Sequence, residues 1–263
     1  MKNMKKMSII LSVFILTLIA FAPVVYAGFS RQFNPEVKKF GITIGTHENI
    51  MISSNGNKGT FKDSLSANEI INDREITVDT LTGKVTHTVD GEYENLILTD
   101  ASGTNADSNK YFTFELYFLS TRNMNVYLNS SSGAIIELDE STADSSFSDE
   151  DRTKLLDGVR IAFLSYSTIY KDAGSIYEAQ YSEEPVSVNV YSRTGIDTDN
   201  YETFNRLDYS NNPELDTILF TTEKEKVTKV EVVIWVESEG LDVNLTAMCN
   251  FTLSMKFNGI IID

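Results

Sequence analysis

Two histidines, one cysteine and 38 acidic residues are the material from which this 263-residue chain could build a reactive site. His47 precedes Glu48, but neither it nor His87 belongs to an HExxH-type pattern. No third ligand stands close by, so a zinc centre would have to be assembled from distant loops. His87 shares a strand face with Val85 and Val89, the setting of a hydrogen-bonded core or edge histidine. Cys249 and a distant histidine are formally a nucleophile pair, yet Cys249 sits in an alternating apolar run, where thiols are inert. No G-x-S-x-G, P-loop or dinucleotide fingerprint occurs. A carboxylate pair for glycoside hydrolysis stays open, because sequence cannot place so many acids. No catalytic residue is assigned, and an enzyme is not the expected reading.

Calcium is the one cofactor that the acids leave open. The stretch DTDNYE offers Asp197, Asp199 and Glu202, and DASGTNADSN offers Asp100, Asn105 and Asp107. Tyr201 fills the fifth position of the first and no glycine follows, so solvated turn chemistry is the stronger expectation for both. Asn129, Asn244 and Asn250 match the N-glycosylation sequon, which matters only in a eukaryotic secretory route.

The elements that must position these residues are strands. In KYFTFELYFL, Phe112, Phe114, Leu116 and Phe118 point one way and Tyr111, Thr113, Glu115 and Tyr117 the other. NFTLSMKF sets Phe251, Leu253, Met255 and Phe257 against Asn250, Thr252, Ser254 and Lys256. VTKVEVVIWVE groups Val230, Val232, Ile234 and Val236, leaving Lys229, Glu231 and Glu237 opposite with Val233 and Trp235. Such strands have one buried and one wetter face. Phe112, Phe114, Leu116, Phe118, Val232, Ile234, Leu253, Met255 and Phe257 are the predicted core.

Shorter strands are expected at 42–45, 49–53, 75–80, 84–89, 125–128, 134–138, 159–166 and 186–191, with a hairpin turning at Thr82-Gly83. One helix is expected, in SFSDEDRTKLLDGV, with Ser148 as N-cap, Asp151 three residues on and Gly158 at its end. Long loops cover about 99–109, 139–147, 167–185 and 192–215. The fold class is therefore all-β: an antiparallel two-sheet sandwich with one short helix and long loops.

The front end reads as a secretory leader. Lys2, Lys5 and Lys6 precede an uncharged run from Met7 to Ser30, and Val25 and Ala27 are the small residues before a cut between Ala27 and Gly28. The expected organisation is a signal peptide over 1–27, an N-terminal segment over 28–40 and one domain over 41–263. Loss of three lysines and no acid takes the formal charge from −16 to −19. So acidic a chain repels nucleic acid and anionic membrane, which leaves the signal peptide as its only membrane contact. A single cysteine excludes an intrachain disulfide, so an exported domain must rely on its apolar core. In GFSRQFNPEVK, Phe29, Phe33 and Val37 are spaced too widely for a well-buried strand of the same subunit. They suit a free segment that adds to a neighbour's sheet edge, with Pro35 limiting the pairing.

The order AGFS, KKFGITIGTHENIMISSNG, KYFTFELYFLSTRNMNVYL, LLDGVRIAFLSYS, VEVVIWVESEGLDV and NFTLSMKF resembles the TasA/camelysin family of Gram-positive exported surface and biofilm-matrix proteins. That resemblance implies a jelly-roll fold, export, and fibres in which each subunit's N-terminal segment completes a neighbour's sheet. The expected function is thus a secreted or cell-surface structural subunit that self-associates, with other surface or matrix proteins as further partners. The alternative is an adhesin or ligand-binding module presenting its long loops. A camelysin-like peptidase or other hydrolase comes third, since no zinc motif is found.

Overall fold

The computed structural model describes residues 36–37, 40–46, 49–71, 76–77, 80–129, 136–139, 148–169, 179–195, 197–204, 217–238 and 250–262. Two sheets pack face to face, the arrangement that strands with one apolar side require. The smaller has the order β16 (Phe220–Thr222), β9 (Met124–Asn129), β18 (Asn250–Ile261), β2 (Phe40–Thr46), β4 (Ser64–Ser66), and β10 (Ile136–Asp139) pairs the start of β18. The larger runs β15 (Thr203–Phe204), β14 (Ser187–Ser192), β11 (Val159–Ser165), β17 (Val227–Glu237). Beyond β17 it divides: β8 (Phe112–Ser120) and then β3 (Ile50–Ser53) follow one part of its length, and β6 (Thr80–His87) and β7 (Glu94–Thr99) the other. Two small ladders stand apart: β1 (Glu36–Val37) with β5 (Ile76–Thr77), and β12 (Thr168–Ile169) with β13 (Gln180–Tyr181).

All nine predicted core residues are buried, none more than 7% exposed. At the centre, Phe257 of the smaller sheet meets Phe118 and Phe163 of the larger edge-on, with ring centroids 5.0 and 6.0 Å apart. The predicted helix forms as α2 (Asp149–Gly158), where the Ser148 hydroxyl accepts from the Asp151 N–H at 3.1 Å. Its first turn carries Asp149, Glu150 and Asp151, the end at which the helix dipole favours acids.

Short strands also fall inside the expected loops, β12 and β13 in 167–185 and β15 in 192–215, and three larger departures shape the fold. First, the sheets are mixed: β2 lies parallel to β18, β6 to β17 and β15 to β14. None of these partners is joined by a tight turn that would dictate an antiparallel direction, and β2–β18 and β6–β17 are also far apart in sequence. Second, a further short helix, α1 (Ala67–Ile71), follows β4; Glu69 closes a capping box by accepting from the Ser66 N–H at 3.0 Å. Third, Thr82-Gly83 is not a turn. β6 runs straight through it, and the reversal falls at Asp90-Gly91, where Gly91 has φ of 73° and the Asp90 carboxylate accepts from the Glu92 N–H at 3.2 Å. The partner strand ENLILT then pairs from His87↔Glu94 to Thr82↔Thr99.

That hairpin adds a third layer. Leu81 and Leu98 pack with Ala162, Leu164, Val190, Val233 and Trp235, which form the outer face of the larger sheet, and with Tyr201. The centre of the larger sheet is therefore buried on both sides, as the unbroken burial of β11 shows.

Candidate functional site

The outer face of β8 and β17, next to the hairpin, concentrates polar side chains. The register sets Glu115 directly opposite Glu231, and Lys229 opposite Tyr117. Like charges facing each other across a ladder repel, and here each carboxylate has its own partners. Glu115 accepts from Lys229 Nζ at 2.7 Å and from the Tyr117 hydroxyl at 2.5 Å. Burial pushes its pKa up, but these two hydrogen bonds outweigh burial and hold it below the usual carboxylate value. Glu231 accepts from the Thr113 hydroxyl at 2.7 Å and from the Tyr166 hydroxyl at 2.8 Å. Lys229 Nζ also lies 4.7 Å from the centre of the Tyr166 ring, close enough for a cation–π contact.

Between this ladder and the hairpin is an open groove of about 370 Å³. Its floor is Tyr111, Leu164, Tyr166, Glu231 and Val233, and its walls come from Asn95–Leu98, Asn105, Ala106, Glu183 and Pro185. The hairpin is held over the sheet at this point: the Glu94 N–H donates to the Pro185 carbonyl at 2.9 Å, and the Glu94 carboxylate accepts from the Val188 N–H. Tyr166 is held protonated well past the ordinary tyrosine range, first by burial and then by the Glu231 charge and hydrogen bond. The same two influences, burial and the Glu231 charge, raise Tyr111. The groove thus joins tyrosine rings, amides and carboxylates, and among the described residues no lysine or arginine lines it.

At the far end of the hairpin lies a sealed polar node. Glu237 is fully buried; its carboxylate accepts from the Gly83 N–H (3.1 Å), Trp235 Nε1 (3.2 Å), the Tyr201 hydroxyl and the Ser238 N–H (3.0 Å). Arg160, itself buried, lies beside Tyr201 and donates to the Asp157 carbonyl at 2.6 Å. A buried carboxylate persists only with such a set of donors. The node fastens the loop carrying Tyr201, and the hairpin, to β17.

The sequence candidates are dispersed. Asp197 accepts from the Thr203 N–H at 2.7 Å and closes its own loop, while Asp199 and Glu202 are exposed. Tyr201, which interrupts the calcium-like pattern, is the residue of that loop buried against Trp235, with ring centroids 6.0 Å apart. Asp100 accepts from the hydroxyls of Ser102 and Thr104 and lies 3.7 Å from Lys110, so its depressed pKa reflects turn chemistry. Among the described residues, no three His, Cys, Asp or Glu side chains converge on one point. His87 sits at the exposed end of the hairpin, 3.4 Å from Glu94, an edge position rather than a core one. Val37 pairs with Ile76 in the β1–β5 ladder. Ala27, Gly28, Phe29, Phe33, His47, Asn244 and Cys249 lie outside the described residues. Asn129 ends β9 and Asn250 begins β18.

The sequence reading named most of the ladder as the polar face of two strands but did not bring the groove together. The Asp90-Gly91 turn signal, followed by alternation in ENLILT, was the cue to the covering hairpin. Compared with protein-family models, with curated proteins and with solved structures, the chain finds no match.

Proposed function

We propose that the chain is an exported cell-surface or matrix protein that self-associates into oligomers or fibres, its N-terminal segment acting as a strand shared between copies. The reading draws on the leader-like front end and the TasA/camelysin resemblance. In the structure it is supported by the β1–β5 ladder. Val37, one of the three apolar residues assigned to assembly, pairs antiparallel with Ile76, and Glu36 with Thr77. The segment therefore adopts strand geometry against a complementary partner strand. Among the described residues this ladder has two register pairs, a short pairing that can be exchanged for the same pairing with a second copy at little cost. Behind it, β2 is fixed by seven register pairs to β18, from Phe40↔Phe251 to Thr46↔Phe257, and anchors the segment to its own domain. Deleting residues 28–38 should leave a folded monomer, because β2 remains, and that monomer should no longer polymerise in electron micrographs. A peptide of residues 28–38 should bind it and arrest growth of the intact protein. Unchanged polymerisation of the deletion variant rejects the reading.

A second reading, a ligand-binding module, is favoured by the groove beside the hairpin. Ala106→Trp fills the groove and should abolish adherence of labelled protein to cell-surface material while leaving assembly intact. Undiminished adherence would remove the groove from consideration.

A further inference from the structure

We infer that the groove between the β6–β7 hairpin and the larger sheet is a site for a small aliphatic amine, bound as its ammonium ion with Glu231 as principal partner. This rests on the binding-module reading and specifies its ligand class.

The lining decides the sign of the ligand. Glu231 and Glu183 contribute carboxylates, and among the described residues no basic side chain lines the groove. A phosphate, nucleotide or acidic sugar would bring like charge into a partly desolvated space, which disfavours it. Lys229 hydrogen-bonds Glu115, while the described partners of Glu231 are the neutral hydroxyls of Thr113 and Tyr166. Each Glu231 oxygen accepts one hydroxyl hydrogen bond, from Thr113 or Tyr166, and a carboxylate has about four acceptor sites. Those two bonds fix the carboxylate in place before any ligand arrives, which lowers the ordering cost of binding.

The remaining lining suits an alkylammonium rather than a bare cation. A metal ion needs several converging oxygen ligands, and the described residues offer no such cluster. Leu98, Leu164 and Val233 instead provide apolar surface for a methylene chain beside the carboxylate. Tyr111 and Tyr166 add aromatic faces that are neutral at physiological pH, as tyrosines ordinarily are. The same sheet face already shows this chemistry in miniature, with the Lys229 ammonium held by Glu115 and the Tyr166 ring.

The test is calorimetric titration of the purified full chain with 1,5-diaminopentane and with 1,5-pentanediol, a neutral molecule of the same length. The diamine should bind at least about tenfold tighter than the diol, the scale of one charge-assisted contact, and should weaken as salt is added. Glu231→Gln should reduce diamine affinity by at least about tenfold. Because that change also disturbs Thr113 and Tyr166, Glu183→Gln at the wall provides a second variant, expected to lose affinity with the Glu231 network intact. Equal binding of diol and diamine, or full diamine affinity in both variants, overturns the ammonium assignment and leaves the groove as a site for another ligand. No binding of the diamine overturns it as well, whereas the adherence of the Ala106→Trp variant judges the binding module separately.

Discussion

Replacing Gly83 with alanine tests the hairpin layer more directly than any other single change. A Cβ built on Gly83 would lie 2.7 Å from Trp235 Cζ2 and 3.0 Å from Tyr201 Cε1, against an ordinary contact of 3.4–4 Å. The indole must therefore retreat by more than half an ångström, and it is fully buried with its Nε1 tied to Glu237. Forcing a methyl into a well-packed core costs about 1–3 kcal/mol. Alanine in a strand regains roughly 0.5–1 kcal/mol over glycine through backbone entropy. The net expectation is a loss of up to about 2.5 kcal/mol, centred on about 1. Trp235 is the only tryptophan, so urea unfolding followed by its fluorescence reads stability and local environment in one experiment. In a double-mutant cycle followed by circular dichroism, since the change removes the only tryptophan, Trp235→Phe should relieve much of the clash, giving a favourable coupling energy between the two sites. A Gly83→Ala protein of unchanged or increased stability, with an unaltered emission spectrum, would refute the packing of β6 on Trp235.

Three further expectations follow from the core and the titrating groups. Phe257→Ala empties the meeting point of Phe118, Phe163 and Phe220 and should cost about 3–5 kcal/mol in chemical unfolding, whereas Val89→Ala at the exposed hairpin turn should stay within about 0.5 kcal/mol. Burial pushes Tyr191 up to about 12, and Tyr117, Tyr166 and Tyr201 are raised by burial and then by Glu115, Glu231 and Glu237 respectively. Since the folded pKa values exceed the unfolded ones, this stabilisation is intact below about pH 10 and is lost as pH rises toward 12. Absorbance at alkaline pH should thus show these tyrosines ionising together with unfolding, and independent titration near pH 10 would contradict their burial. Glu69 is held at about 2, first by its hydrogen bond from Lys62 and then by Ser66. The capping box should therefore persist at neutral pH and fail only as pH falls toward 2, and a carbon-detected NMR titration giving Glu69 an ordinary carboxylate value would remove it.

What the sequence determined by itself is local. Alternation in β8, β17 and β18 sorts side chains to one face, because successive Cβ atoms in a strand point to opposite sides whatever lies next to them. The nine core residues followed from that alone. The Ser148 cap and the Gly158 end of α2 were equally legible, since capping is settled within a few residues of chain. Only the tertiary structure decided what covers each face. Nothing in VTKVEVVIWVE says that Val233 and Trp235, on the wetter side, are sealed by a hairpin from residues 80–99, or that Glu237 finds its donors in Gly83 and Tyr201. The parallel pairing of β2 with β18 joins the two ends of the described chain, and no local signal carries its direction. The groove has the same origin: Glu231 and Tyr166 are 65 residues apart, and Asn95 and Leu98 come from yet another strand. Their meeting depends on the hairpin lying over β17, which is a matter of packing between elements rather than of the pattern within any one of them.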